Sequence, residues 1–382
     1  MNVLMISLGD SILSNTGNEA LSRHQEYAKA LGFIDMIVYS PRVNKFVTKH
    51  YDSLSIYPTH SLNRATFIYD ALKIAKHIVQ HKKIDVVTTQ DPFGTALIGY
   101  LIKKKYNIPL HIQNHSSFLN NALWIKEKPL LFSLFHCILR WLLPKADRLR
   151  VVNYMEKQKY CDILGILPEK IDVAPVPLHV KFWKDVPSEF TLQCFKNDYK
   201  IEKNIPTISW VGRIASVKNL DYLFGVVAHI HRFQSINFLL AGEIDQFRSY
   251  LKNLENKYNV QPIYLGFLEH SKLKAMYYVT DVYLHTSNYE GFGRVVADAQ
   301  ACGIPVVTRN TNGTNDIVEH EKSGFIVDGN EMLFAEAVLY LLRDKEKMSE
   351  MRYYAREMMH KFDYQTMFDA TIDSICKACS AK

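Results

Sequence analysis

The segment most suggestive of chemistry in this 382-residue chain is Ser287-Asn288-Tyr289-Glu290-Gly291-Phe292-Gly293-Arg294-Val295-Val296-Ala297-Asp298. It sets one carboxylate beside a glycine-rich turn and a second further along, in an E-x7-D pattern. Gly291 and Gly293 let the backbone approach a ligand closely, and the amides that open a following helix point at an anion such as a diphosphate. Taken alone, the same turn also suits a structural reading in which Glu290 caps a helix and Asp298 is solvated. A second segment, Trp210-Val211-Gly212-Arg213-Ile214-Ala215-Ser216-Val217-Lys218-Asn219-Leu220, puts two cations in one loop. Arg213 offers a fork of donors and Lys218 a point charge, a pairing suited to a diphosphate; solvated surface charges are the alternative. In the first half, Asp91 sits in a Gln90-Asp91-Pro92 step and His115 follows an apolar run. A turn-opening aspartate and a core histidine are their plain alternatives.

These residues need elements to carry them. Apolar runs at Val3–Leu8, Met36–Tyr39, Asp85–Gln90, Pro109–Asn114 and Arg148–Asn153 read as strands. They alternate with amphipathic stretches at Asn18–Leu31, Ala65–Gln80, Thr95–Tyr106 and Pro129–Leu143 that read as helices. The strands are apolar throughout, which suits a parallel sheet covered on both faces. The pattern restarts at Thr207–Val211 and continues through Asn237–Ala241, Ile263–Leu265, Val282–Thr286 and Pro305–Thr308, with helices between them and three more at the end. Pro175, Pro177, Pro187 and Pro206 punctuate a stretch without periodicity, so the domain junction is placed near Asp185. The expected domains are 1–185, 186–362 and a terminal helix over 363–382. Arg213 and Lys218 then follow the first strand of the second domain, at the carboxyl edge where ligands of such sheets bind.

The order V-G-R-x4-K-N, a Gly266-Phe267-Leu268 turn, and E-G-F-G-x4-D-A-x-A-C-G-x-P-V-V resembles the retaining GT-B glycosyltransferases of family 4. The resemblance runs from about Thr207 to Phe362 and is looser in the first half, over the polar loop Gly9–Asn18, the Gln90-Asp91-Pro92 step and His115. It implies an α/β fold of two doubly wound Rossmann-like domains facing across a cleft, with a C-terminal helix crossing back to the first. It implies transfer of a hexose-type sugar from a UDP- or GDP-sugar with retention of configuration. By residue, it gives Glu290 to the hydroxyls of the donor sugar, Asp298 to the ribose hydroxyls, Arg213 and Lys218 to the diphosphate, and His115 to the neighbourhood of the donor sugar. Gly291, Phe292, Gly293, Arg294, Val295, Phe267, Leu268 and Gly17 complete the donor site, and Asp91 and Asn18 stand on the acceptor side. Asp298 departs from the family's usual Glu, and Thr311-Asn312-Gly313-Thr314-Asn315-Asp316 stands where many relatives carry Gly-Gly and a Glu. No D-x-D motif occurs, so no metal or other cofactor is expected. A nucleotide-sugar 2-epimerase and a donor-binding scaffold with a decayed site are the rival readings.

The formal net charge of +7 is uneven. Residues 1–190 hold 24 Lys and Arg against 16 Asp and Glu, and the rest hold 22 against 23. The first domain therefore faces something anionic. Its Pro129–Leu143 helix is apolar on more than one face and flanked by Lys126, Lys128, Arg140 and Lys145. One reading lays it in the interface of an anionic membrane, with a saccharide or lipid-linked saccharide as acceptor, as in cell-surface polysaccharide or lipopolysaccharide synthesis. The other buries it as a packing helix. No run is long and apolar enough to span a bilayer, and the first residues read as a strand rather than a signal peptide. A cytoplasmic protein, peripheral on the inner membrane face, monomeric or homodimeric and without nucleic acid as partner, is expected. The six cysteines show no metal-site spacing and read as small apolar residues in a reducing compartment.

Overall fold

Short runs rich in branched residues become the strands of two separate sheets. The computed structural model describes residues 1–14 and 19–380. They form two bodies, Met1–Pro175 joined by the chain from Met367 onward, and Val176–Thr366.

In the first body the strands are β1 (Asn2–Ser7), β2 (Phe33–Val38), β3 (Lys49–His50), β4 (Leu54–Pro58), β5 (Val86–Thr89), β6 (Leu110–Asn114), β7 (Arg148–Val151) and β8 (Ile171–Val173). Their order is β3-β4-β2-β1-β5-β6-β7-β8, parallel at every step except the short antiparallel β3/β4 edge. Helices α1 (Glu19–Leu31), α2 (Thr66–His81), α3 (Gly94–Tyr106), α4 (Ala122–Glu127), α5 (Pro129–Leu142) and α6 (Tyr154–Leu164) connect them. Leu4, Ile6, Val87, Leu110 and Ile112 are fully buried, which is why these strands lack polar alternation. The helix Tyr364–Cys379 is tied to this body by polar contacts as well as packing. Ser374 Oγ lies 3.0 Å from His111 Nε2 and donates to Asp172 Oδ2 at 2.8 Å. Arg148 grips the same carboxylate with two bonds of 2.6 Å, and Phe368 stacks on Tyr27 at 5.1 Å.

The second body contains β9 (Thr207–Val211), β10 (Asn237–Ala241), β11 (Ile263–Gly266), β12 (Val282–His285), β13 (Val306–Arg309) and β14 (Gly324–Val327), all parallel, in the order β11-β10-β9-β12-β13-β14. Its helices are α7 (Val180–Lys184), α8 (Glu189–Asp198), α9 (Leu220–His231), α10 (Arg248–Tyr258), α11 (His270–Tyr278), α12 (Arg294–Ala301), α13 (Glu331–Arg343) and α14 (Lys345–Met358). The body begins at Val176, not near Asp185. Trp183 decides this: it is 1% exposed, meets the Tyr277 ring edge-on at 5.8 Å, and its carbonyl accepts from Tyr278 Oη at 2.9 Å. Leu178 N also donates to Phe362 O at 3.1 Å. The prolines mark the break in periodicity, while packing of a single tryptophan assigns the segment. Within the same stretch, α8 forms behind a Ser188 cap whose hydroxyl accepts from Thr191 N at 3.2 Å.

Candidate functional site

In the second sheet the strand order reverses between β9 and β12. At such a switch point the loops leave in opposite directions and open a crevice beyond the carboxyl ends. The loop after β9 carries Arg213 and Lys218, and the turn after β12 carries Glu290. There Lys218 Nζ bonds to Glu290 Oε1, both side chains being mostly buried. The same oxygen accepts from Ser287 Oγ at 3.1 Å and lies 3.3 Å from His285 Nε2. Burial by itself raises the pKa of Glu290, but the His285 hydrogen bond and the Lys218 charge outweigh it and bring the value down to about 2. Burial lowers the pKa of His285, so its imidazole is neutral at neutral pH. The tautomer that suits a carboxylate carries its proton on Nε2, and Nδ1 lies 3.0 Å from Thr308 Oγ1. His285, Ser287 and Thr308 were not singled out from sequence. The available signal was the polar run His285-Thr286-Ser287 at the end of an otherwise apolar strand.

Beside this pair lies a cavity of about 840 Å³ whose lining includes Val211, Gly212, Arg213, Lys218, Phe267 and Val295. Arg213 is exposed and makes no side-chain hydrogen bond or ion pair with the described residues, so its guanidinium is available to a ligand. Phe267 is 77% exposed, an aromatic face at the edge of the cavity, whereas Leu268 is buried. Glu243 and His270 also line it, and sequence reasoning had not named them. Close backbone approach shapes the floor. Gly242 has φ +156°, and a Cβ there would stand 2.3 Å from Gly212 O.

The glycine turn is more structural than its sequence suggests. Gly293 has φ +85° at the amino boundary of α12, a conformation that favours glycine. The Phe292 side chain does not line the cavity. It is 4% exposed and packs edge-on against Phe362 at 5.2 Å. Its part in a donor site is therefore confined to the backbone and to holding the turn. Asp298 is 4% exposed on α12, which removes the reading of a solvated helix residue, and it too is outside the cavity lining. Arg294, half-buried, opens α12. Tyr277 Oη fixes the first turn of this helix by donating to Val295 O at 3.1 Å. The loop after β13 presses on the turn from behind: a Cβ on Gly313 would lie 2.6 Å from the Gly291 carbonyl carbon and oxygen.

In the first body Asp91 follows β5 and His115 follows β6. Asp91 opens α3: its Oδ1 accepts from Phe93 N at 2.7 Å, and Thr95 Oγ1 donates to its carbonyl at 3.0 Å. The turn-forming reading is thus met. Its other oxygen, Oδ2, is buried without a hydrogen-bond partner among the described residues, and burial raises the pKa of the group. His115 is exposed, so it is not a core histidine. Dehydration by the surrounding loops and the charge of Arg150 lower its pKa; solvent access moderates the first effect, and the consequence is a neutral imidazole at neutral pH. Gly17 and Asn18 lie outside the described residues. Helix α5 is not a buried packing helix. Only Leu139 and Leu142 are buried on it, while Leu130 is 93% exposed and Leu131, Leu134 and Trp141 are exposed as well. Among the described residues no helix is long and apolar enough to cross a membrane.

Residues 194–358 match the family description Glycosyl transferases group 1, and residues 25–181 match Glycosyltransferase Family 4. An uncharacterized glycosyltransferase of Methanocaldococcus jannaschii is 25% identical over 281 residues, covering 70% of this chain and 68% of its own. Among solved structures, sucrose-phosphate synthase from Thermosynechococcus elongatus superposes with a TM-score of 0.83 at 17% identity, covering all of both chains. HepE from Anabaena in complex with UDP-glucose superposes with a TM-score of 0.73 at 17% identity, covering 98% of each. The two parallel-sheet bodies are therefore those of the GT-B fold.

Proposed function

The chain belongs to the group 1 glycosyltransferases, and from that premise we propose that it moves a hexose-type sugar from a UDP- or GDP-sugar to a saccharide or lipid-linked saccharide, with retention. The observation that carries this reading is Lys218, which lines a cavity of about 840 Å³ together with Arg213 and is paired with Glu290 behind it at the β9/β12 switch point. Glu290 is ionised at neutral pH and so accepts hydrogen bonds from sugar hydroxyls. Arg213 and Lys218 meet the two phosphates. As the glycosidic bond to the diphosphate breaks, positive charge grows on the anomeric carbon and negative charge on the leaving oxygen. The two cations stabilise the latter where it develops. The acceptor hydroxyl attacks from the face the diphosphate leaves, and its proton passes to the departing phosphate oxygen. Acceptor oxygen and sugar gain a bond, the diphosphate gains a proton, and no enzymic nucleophile or metal is called on. Asp298 and the backbone of the Gly291–Gly293 turn complete the donor site.

The acceptor side is assigned to the first body, with Asp91 and His115 at the edge of its sheet. The exposed leucines of α5, with Lys126, Lys128, Arg140 and Lys145 about them, suit a surface of anionic lipid and a membrane-borne acceptor. The test is product analysis. Incubation with UDP-glucose or GDP-mannose and a lipid-linked saccharide should release the nucleoside diphosphate and yield an α-linked product by NMR. A β-linked product would contradict retention, and conversion of the donor to its 2-epimer without acceptor would contradict transfer.

A further inference from the structure

Asn288 joins three segments of the second body that this chemistry needs in register. Its main-chain N–H donates to Val217 O at 2.8 Å. Its Oδ1 accepts from Asn219 Nδ2 at 3.1 Å and also from Arg309 Nη1. Lys218 therefore lies between two residues that are both tied to Asn288, and Glu290 follows two positions later. Thr286 Oγ1 adds a tie by donating to Lys218 O at 3.0 Å.

Arg309, the last residue of β13, is itself held. Its guanidinium lies over the Tyr222 ring, 5.0 Å from the centroid. The Tyr222 hydroxyl is directed at Asn330 O and Gly329 O, at 2.9 and 3.1 Å. Tyr222 stands in the first turn of α9, and Asn219 is the boundary residue of that helix, with φ +51°. The ties thus close a circuit from Asn219 through α9, Tyr222 and Arg309 back to Asn288. One carbonyl oxygen with two donors is the point at which the loop carrying Lys218, the turn carrying Glu290 and the end of β13 are locked together. Neither Asn288 nor Arg309 lines the cavity.

We infer that Asn288, oriented by Arg309, is the positioning residue that sets the Lys218–Glu290 pair. This rests on the reading that the pair handles the donor. Losing the Oδ1 acceptor releases the Asn219 side of the loop while the main-chain tie to Val217 and the Thr286 tie remain, so Lys218 leaves the carboxylate it neutralises more often. An aspartate at the same place keeps both acceptor bonds and exchanges the amide for a charge that Arg309 balances.

Lysine acylation read by mass spectrometry measures the state of Lys218 directly, without a known donor. In Asn288→Ala and in Arg309→Met, labelling of Lys218 should rise about tenfold, in line with the loss of one structural hydrogen bond. Labelling of Lys257 and Lys347 should stay unchanged, which marks the fold as intact. Asn288→Asp should stay within about threefold of the parent, and the double variant Asn288→Ala/Arg309→Met should label no faster than either single one, because both act through one contact. Unchanged Lys218 labelling in Arg309→Met, or an Asn288→Asp that behaves like Asn288→Ala, overturns the inference. Protection of Lys218 by UDP-glucose or GDP-mannose in the parent protein tests the donor reading separately. Absence of protection with the variant pattern intact faults that reading and leaves the positioning role standing.

Discussion

Replacing Glu290 by glutamine keeps its shape and removes its charge, and the structure fixes how the effect must vary with pH. The carboxylate is held at about 2, against an ordinary value of 4.5. A carboxyl depressed on folding stabilises the native state above its unfolded pKa and loses that contribution as pH falls through its folded value. A shift of about 2.5 units corresponds to roughly 3 kcal/mol at neutral pH. The side chain is only 16% exposed, so solvent screening removes little of this. At pH 3, one unit above the folded value, about 1 kcal/mol remains. The stability advantage of the parent over Glu290→Gln should therefore shrink by about 2 kcal/mol between pH 7 and pH 3. Groups that do not touch Glu290 cancel in the difference; His285, whose pKa the carboxylate raises against the effect of burial, titrates together with it. Because the two bodies need not unfold together, the readout should belong to the second. Trp183 and Trp210 both lie there and are fully buried. Urea unfolding followed by their fluorescence, with Trp124 and Trp141 replaced by Phe in both proteins, isolates that body. An advantage that stays constant over this range would refute the Lys218–His285–Glu290 constellation.

Other consequences follow from the packing around the site. Gly313→Ala drives a Cβ into the Gly291 backbone; thermal melts should show a loss of about 1–3 kcal/mol, as for overpacking elsewhere, and titration with UDP-glucose or GDP-mannose should show weaker donor binding. Gly242→Ala forces a side chain onto Gly212 O from a positive φ, and should cost about 2 kcal/mol or more in denaturant unfolding. On α5, Leu130→Glu with Leu134→Glu removes two exposed apolar anchors. Flotation with vesicles of anionic lipid should fall at least about tenfold, since each buried leucine contributes about 1.5–3 kcal/mol, while the second body's melting is unchanged.

The readable parts of this fold and site were those whose signal is local. Continuous apolar runs at β1, β5, β9 and β12 announce buried parallel strands, and a glycine between strand and helix announces the Gly293 boundary. β3 and β8 hold two and three residues, too few to show a period, and β4 and β14, although no shorter than β5, are defined by sheet pairing. At β14 the cue is Gly324, where a Cβ would meet Val306 O at 2.0 Å, a contact visible only once the strands are paired. Lys218 and Glu290 could be named from their motifs. His285, Asn288 and Arg309 could not, because what brings them together is the order of β9, β12 and β13 in the sheet. Phe292 shows the complementary limit: its motif position says nothing of its rotamer, which fills the space beside Phe362 and is set by packing.

In the proposed reaction a nucleotide-sugar is gripped at the β9/β12 switch point by Arg213, Lys218 and Glu290. Its most direct test is a thermal-shift screen of the parent, Arg213→Ala and Glu290→Ala against UDP-, GDP- and ADP-sugars, followed by turnover with the donor that binds. A UDP- or GDP-sugar should stabilise the parent, the shift should be lost in both variants, and kcat/KM of Arg213→Ala should fall by an amount worth about 2–4 kcal/mol of transition-state stabilisation. Equal stabilisation of all three proteins, or turnover of Arg213→Ala near that of the parent, would contradict it.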